Sequence, residues 1–374
     1  RKDYDMYFLK MFAASMGSFI IIVIIAIFFF VLILAGVSQE TIDVKSHSLL
    51  TIKLSGEFKQ FKPSNEFKEL LGLEEKSTTL HDVKFGLEKA ADDDRIDGVV
   101  LKLNGAAFGF ADLHELREAI FKFKLSGKPV YAYLESVTLK EYLLAISADS
   151  VYATKEGFIY LKPLSMGMTY YKDLLKNIGV EADFVGVGKF KSAPESYMRS
   201  EPSEYDRLQR THLLYGLQAS ADSILTQTLQ LNSAELKQIY QTSLIEMDSA
   251  VAQGLIGQSL YWDEFQKKRF NRLENYKSIG LKTYLDEEAD ASTAKNTLAI
   301  IYAEGAIMPG DDSNSPTFGE TMGADRVIRN LRAAAKNKSI KGIILRLNSP
   351  GGSATASDEL WREIILAKQS KPVF

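Results

Sequence analysis

Ile96-Asp97-Gly98-Val99-Val100-Leu101-Lys102-Leu103-Asn104 returns 244 residues later as Ile340-Lys341-Gly342-Ile343-Ile344-Leu345-Arg346-Leu347-Asn348. Carried on to Leu116 and Leu360, seven of 21 positions are identical, where ordinary composition gives about one or two. Upstream, Leu49 to Gly56 resembles Leu298 to Gly305, and Leu87 to Ala91 resembles Leu331 to Ala335. Downstream, Lys128-Pro129-Val130-Tyr131 matches Lys371-Pro372-Val373-Phe374 after one deletion. The pattern reads as an internal duplication; two unrelated βαβ units sharing a common pattern are the alternative.

Within the first copy, β-branched runs alternate with helical periods. Leu49–Leu54, Gly98–Leu103 and Pro129–Leu134 read as strands, Thr79–Asp92 and Ala111–Leu125 as helices. Such alternation predicts right-handed βαβ crossovers and a mostly parallel sheet, hence an α/β fold. Val151-Tyr152-Ala153 and Asp183–Val187 are expected to continue that sheet. From Pro202 to about Gln266 the pattern turns helical, with a cap at Asn232-Ser233-Ala234-Glu235.

The chain has 374 residues, 46% hydrophobic and 25% charged, with a formal net charge of -3. That length suggests two folded units, and the balance of charge argues against a nucleic-acid partner. Without cysteine there is no disulfide, thiolate zinc site or thiol nucleophile. The four histidines stand singly, so no metal site is expected.

From Met11 to Gln39 no residue is charged, and Phe19 to Ala35 is continuously apolar. Residues 17–37 would span about 31 Å as a helix, the thickness of a bilayer's hydrocarbon core. A buried core helix would keep polar residues on one face, and a cleaved signal peptide has a shorter apolar run. An uncleaved transmembrane signal anchor fits better. Arg1, Lys2 and Lys10 precede it, which places 1–16 in the cytoplasm and the body outside it. The expected organisation is then 1–16, the anchor at 17–37, a first α/β unit at 45–200, a helical extension at 201–290 and a second unit at 295–374. The second copy ends at Phe374 inside what the first copy reads as a strand, so the sequence is expected to be part of a longer protein.

Two motifs carry chemical content. Asn348-Ser349-Pro350-Gly351-Gly352-Ser353 follows a strand and opens a helix, at the sheet edge where α/β folds place ligands. Its glycines allow close backbone approach and can aim N–H groups at an oxyanion, although Pro-Gly-Gly is also an ordinary turn. The same slot in the first copy, Asn104-Gly105-Ala106-Ala107-Phe108-Gly109, has lost the Pro-Gly-Gly. The second motif is Gly186-Val187-Gly188-Lys189-Phe190-Lys191-Ser192-Ala193. A lysine partly desolvated beside Phe190 could serve as a general base; two solvated loop lysines are the plainer reading. Glu195, Glu201, Glu204 and Asp206 offer no paired geometry.

Together, the anchor, the duplicated unit with a degenerate first copy, and the strings Leu347–Ser353 and Phe190-Lys191-Ser192-Ala193 resemble the signal peptide peptidase A (protease IV) family, in its long double-domain bacterial type. The resemblance implies tandem crotonase/Clp-protease-like domains and a membrane-anchored serine endopeptidase with a Ser–Lys dyad. It implies no cofactor, hydrophobic peptide substrates such as cleaved signal peptides, an inner-membrane location and a homotetramer. It makes Lys191 the general base, with Lys189 the weaker candidate, and Gly351 and Gly352 the oxyanion turn, with Gly352 favoured as donor. The nucleophilic serine would lie beyond Phe374. In the first copy Leu139 or Lys140 stands where a nucleophile would sit, so that copy should have none. A catalytically inactive peptide-binding scaffold and a crotonase-like acyl-CoA enzyme are the alternatives; the anchor and the Lys-Ser-Ala segment speak against the second.

Overall fold

A computed structural model describes residues 11, 15–17, 19, 21–25, 44–60, 78–270, 277–287, 296–315 and 319–374. The chain divides into two units, Arg1–Asp43 and Val44–Phe374. In the first, the described residues are helical and mostly exposed. No helix among the described residues is long and apolar enough to cross a membrane; the expected anchor at 17–37 falls mostly outside them.

The second unit is built on parallel strands. β1 (Ser48–Glu57), β2 (Ile96–Ala107), β3 (Val130–Thr138) and β4 (Ser150–Tyr160) run parallel in that spatial order. Between them lie α1 (Leu80–Asp92), α2 (Phe110–Lys124) and α3 (Leu139–Ala145). Alternation sets the sheet faces: Leu50, Ile52 and Leu54 of β1 point into the main core, while Leu49 points to the other face. Helix α1 starts because Thr79 and Asp82 form a reciprocal capping box. Its Leu80, Val83, Leu87 and Ala90 recur at helical spacing and are buried. Each of the leucine and valine side chains, taken fully from water, stabilises by about 1.5–3 kcal/mol.

The helical stretch after residue 200 comprises α4 (Glu204–Leu229), α5 (Ser233–Thr242), α6 (Met247–Ala252) and α7 (Trp262–Phe270), counting only helices of the extension. It also contributes two short strands, Leu244–Glu246 and Gln258–Ser259, both paired to β4. Lys277–Gly280 pairs with β1 at the opposite edge. Phe265 and Trp262 of α7 cover the outer sheet face formed by Leu49, Val100, Tyr133 and Tyr152.

The expected strand at Asp183–Val187 does not form. Residues 181–187 have no regular secondary structure, and Val185 and Val187 are 98% and 92% exposed. The physical reason is that short strands already occupy both sheet edges, β4 on one side and β1 on the other, so β propensity finds no partner there.

The second copy repeats two strands and two helices of the first and adds a small three-stranded sheet of Ala306–Met308, Ser313–Ser315 and Gly319–Gly323. Helix α8 (Ala324–Lys336) and helix α9 (Ala354–Lys368) begin and end 244 residues after α1 and α2. Strand Thr297–Glu304 runs parallel to strand Ile340–Asn348, and Val373 bridges Ile343 in parallel as Val130 pairs with Val99. Even a side-chain cap recurs. Lys128 Nζ donates to the carbonyls of Ala90 and Asp93, and Lys371 Nζ to those of Ala334 and Asn337, closing the C-terminal ends of α1 and α8. Residues of the second copy form a hydrophobic cluster of their own around Ile301, Val327, Leu331 and Ile343. Polar contacts join the copies: Arg346 donates to Gln60 Oε1 (2.7 Å) and Glu115 Oε1 (2.5 Å), and Gln60 N–H donates to Glu304 (3.1 Å).

Candidate active site

Strand Ile340–Asn348 ends in a turn whose geometry is fixed by two glycines. Gly351 takes φ +111°, a left-handed conformation that side chains resist. Its N–H donates to Ser349 Oγ (3.1 Å), and its carbonyl accepts from Ile307 N–H (2.9 Å). Ser353 N–H donates to the Ile307 carbonyl (2.8 Å), so Gly352 forms a parallel bridge with Ile307. The bonds of that bridge come from the residues flanking Gly352, which leaves its own N–H directed away from strand Ala306–Met308. No hydrogen bond among the described residues uses it. A Cβ on Gly352 would fall 2.1 Å from the Ile307 carbonyl oxygen, so only glycine permits the approach. Ser353 then caps α9 by accepting from Ala356 N–H. The open amide therefore sits at the positive end of a helix dipole, where negative charge is favoured.

The corresponding slot of the first copy is filled. Glu141, fully buried, accepts from Ala106 N–H (2.7 Å), Thr138 N–H (3.0 Å) and Thr138 Oγ1 (3.2 Å). Phe108 is buried against Phe58, with ring centroids 5.9 Å apart. Lys140 Nζ donates to the Phe108 carbonyl, and Leu139 is buried at the start of α3. The two residues standing where a nucleophile would be are thus absorbed in packing.

The lysine motif forms an exposed turn. Lys189 Nζ donates to Tyr205 Oη (3.0 Å) and lies 5.0 Å from the centre of its ring. Phe190 meets the same ring edge-on at 5.4 Å. Ser192 is buried, and its hydroxyl accepts from Gln209 Nε2. Lys191, between these anchors, is exposed, and its ammonium makes no hydrogen bond among the described residues. The first turns of α4 hold the loop. Ser203, its N-cap, gives both N–H (2.8 Å) and hydroxyl (2.6 Å) to Glu195. Asp206 is fully buried and accepts from Arg210 Nε at 2.8 Å on both oxygens. Burial pushes the Asp206 carboxyl up, but hydrogen bonds from Arg210, Ser192 and Gln209 outweigh it and hold the pKa below its ordinary value.

No contact joins Lys191 to Gly351 or Gly352 among the described residues. The sequence reading found both motifs but missed what supports them. Glu195 and Asp206, set aside for want of a carboxylate pair, are the acceptors that hold the lysine loop. The signal was local: Ser203 three residues before Asp206 is a helix-start pattern, and Thr138 three residues before Glu141 is a capping box.

The α/β scaffold thus carries a glycine turn at a strand end in one copy and an exposed lysine on a loop of the other. Residues 122–275 match the model of Peptidase family S49. It is 29% identical over 339 residues to the chloroplastic serine protease SPPA of Arabidopsis thaliana, covering 88% of this chain and 49% of that one. It is 32% identical over 312 residues to Protease 4 of Haemophilus influenzae, covering 78% and 50%. The chain thus spans about half the length of the curated relatives it matches. Among solved structures, an enoyl-CoA hydratase/isomerase family member aligns at 15% identity over 52% of this chain and 64% of that one, with a TM-score of 0.31. A membrane-bound stomatin-specific protease aligns at 11% identity over 63% and 97%, with a TM-score of 0.36.

Proposed function

We propose that the protein is a membrane-anchored serine endopeptidase that hydrolyses hydrophobic peptides, such as cleaved signal peptides, with a Ser–Lys dyad. Lys191 is the general base, Gly352 N–H the oxyanion donor, and the nucleophilic serine lies in the second copy beyond Phe374. The observation that carries the reading is the Gly352 amide, unbonded and at a helix N-terminus, in the copy that keeps the Pro-Gly-Gly. The lysines support it: Lys189 is engaged by Tyr205, and Lys191 is not engaged.

In this reading the neutral amine of Lys191 takes the serine hydroxyl proton as the oxygen attacks the peptide carbonyl. The carbonyl oxygen becomes an anion and accepts from Gly352 N–H. The intermediate collapses, the C–N bond breaks, and the Lys191 ammonium returns the proton to the leaving amine. Water then hydrolyses the ester by the same route. A lysine is a base only when neutral, a state that burial favours. Lys191 is exposed in the isolated chain, so activity requires a cover, which a neighbouring protomer of a homo-oligomer supplies. Anchoring rests on the uncharged run from Met11 to Gln39, with the catalytic body outside the cytoplasm.

The test is Lys191→Ala in the full-length protein, assayed on a hydrophobic peptide ester. Cleavage should be abolished with unchanged circular dichroism. Activity within about tenfold of wild type, ~1.4 kcal/mol in barrier, excludes Lys191 as the base.

A further inference from the structure

A fully buried carboxylate beneath an exposed loop needs a reason, because desolvating a charge costs several kcal/mol. Asp206 is such a group. One reason is ordinary: it lies in the first turn of α4, where the helix dipole and Arg210 one turn on both favour a negative charge. That accounts for an acid at the helix start but not for its complete burial, since Glu204 in the same turn is exposed.

The burial is explained by what lies on top. Ser192, itself buried, accepts from Gln209 Nε2, whose amide also donates to Asp206 Oδ1 (3.2 Å). The Gln209 amide thus bridges the serine hydroxyl to the buried carboxylate. An amide nitrogen held by two acceptors fixes the oxygen it reaches, and the backbone at Ser192 is held with it. On the other side of Lys191, Lys189 and Phe190 both rest on Tyr205. The residues on either side of Lys191 are therefore fixed to one helical turn, Tyr205 to Gln209, while the Lys191 ammonium makes no hydrogen bond among the described residues.

We propose that Asp206, acting through Gln209 and Ser192, is a positioning residue that presents the Lys191 amine to its reaction partner. The inference rests on the reading of Lys191 as the base and adds what fixes its place. Proton transfer requires heavy atoms at about 2.6–3.2 Å, and a displacement of about 1 Å at such a site costs on the order of 100-fold in rate. Loosening Ser192 should thus lower turnover without altering substrate binding.

The test uses the full-length protein with four substitutions: Ser192→Ala, Ser192→Thr, Asp206→Asn and Lys191→Ala, each assayed on a hydrophobic peptide ester with a parallel melting curve. Ser192→Ala and Asp206→Asn should lower kcat at least tenfold with KM within twofold, and Ser192→Thr, which keeps the hydroxyl, should restore most of the loss. If Asp206→Asn fails to fold, Ser192→Ala decides alone, since it removes a single oxygen and leaves Asp206 its bonds to Arg210 and Gln209. Turnover within twofold of wild type in Ser192→Ala, alongside an inactive Lys191→Ala, overturns the positioning role. An equal loss in Ser192→Ala and Ser192→Thr overturns it as well. An active Lys191→Ala instead overturns the reading on which it rests.

Discussion

Substituting alanine at Gly352 and at Gly351 separates backbone geometry from chemistry within one turn. At Gly352 the added Cβ would lie 2.1 Å from the Ile307 carbonyl oxygen and 2.6 Å from its nitrogen. Both are backbone atoms of a paired strand, so the turn and the strand must part by about 1 Å to reach ordinary contact near 3.4 Å. The Ile307–Gly351 and Ser353–Ile307 hydrogen bonds, now 2.9 and 2.8 Å, then stretch beyond useful range. Two such bonds at about 1 kcal/mol each, with about 1–3 kcal/mol for overpacking, give a loss of roughly 3–5 kcal/mol. The donor also leaves its place, which by analogy with removed oxyanion donors costs about 100- to 1,000-fold in kcat. At Gly351 a Cβ meets nothing within 4 Å, and the only penalty is the φ of +111°, about 1–3 kcal/mol. Its N–H is directed at Ser349 rather than the open face, so kcat should fall far less. Urea denaturation of both variants and cleavage of a hydrophobic peptide ester by the full-length protein give the two readouts. A Gly352→Ala protein as active as Gly351→Ala would refute the assignment of the open amide, whatever its stability.

Two further predictions concern stability. Glu141→Ala strips the acceptor from Ala106 N–H and from both Thr138 donors. The loss should be about 3–4 kcal/mol in urea denaturation, and a change under about 1 kcal/mol would mean the first-copy slot is not held by that carboxylate. Asp93 accepts from Arg95 and Tyr284. Hydrogen bonds from the Arg95 side chain prevail over the opposing effect of burial and hold its pKa at about 2, against an ordinary 3.8. A depressed folded pKa contributes stability above the unfolded value and loses it as pH falls through the folded one. The contribution, about 2 kcal/mol, should therefore be complete near neutrality and decay from about pH 4 towards pH 2. A stability gap between wild type and Asp93→Asn that stays constant over that window would refute the linkage.

How far the sequence disclosed this arrangement depends on the range of the interactions concerned. The offset of 244 placed α8 and α9 on α1 and α2 residue for residue, because helix limits are set by caps and periodicity that travel with the local sequence. Strand limits were read short: Gly98–Leu103 proved to be Ile96–Ala107, since pairing extends a strand through residues with little β propensity of their own. The failure at Asp183–Val187 has the same root in reverse. Phe184, Val185 and Val187 do carry β propensity, but a strand also needs an edge to pair with, and the short strands beside β4 and β1 come from residues 244–280. The supports of the candidate site were least legible. Glu141 could be read as the cap of its helix, whereas its bond to Ala106, 35 residues away, is tertiary.

The asymmetry between the copies follows from where an acceptor is held at the end of the sheet. In the first copy a side chain of the chain itself, Glu141, brings its acceptor oxygens to a backbone N–H of the slot and to the start of α3. With Phe108 packed beside it, nothing is left to bind there. In the second copy the strand-paired glycine turns its N–H outward at the start of α9 with no acceptor supplied. An internal acceptor stabilises the fold at every moment, whereas an open amide contributes only when negative charge develops in front of it. The same backbone frame thus serves stability in one copy and leaves electrostatic capacity unused in the other. The lysine loop belongs to the copy whose own slot is closed. In the proposed mechanism the base and the donor would therefore come from different copies, and the precision of their meeting would fall on the groups that hold Lys191 in place.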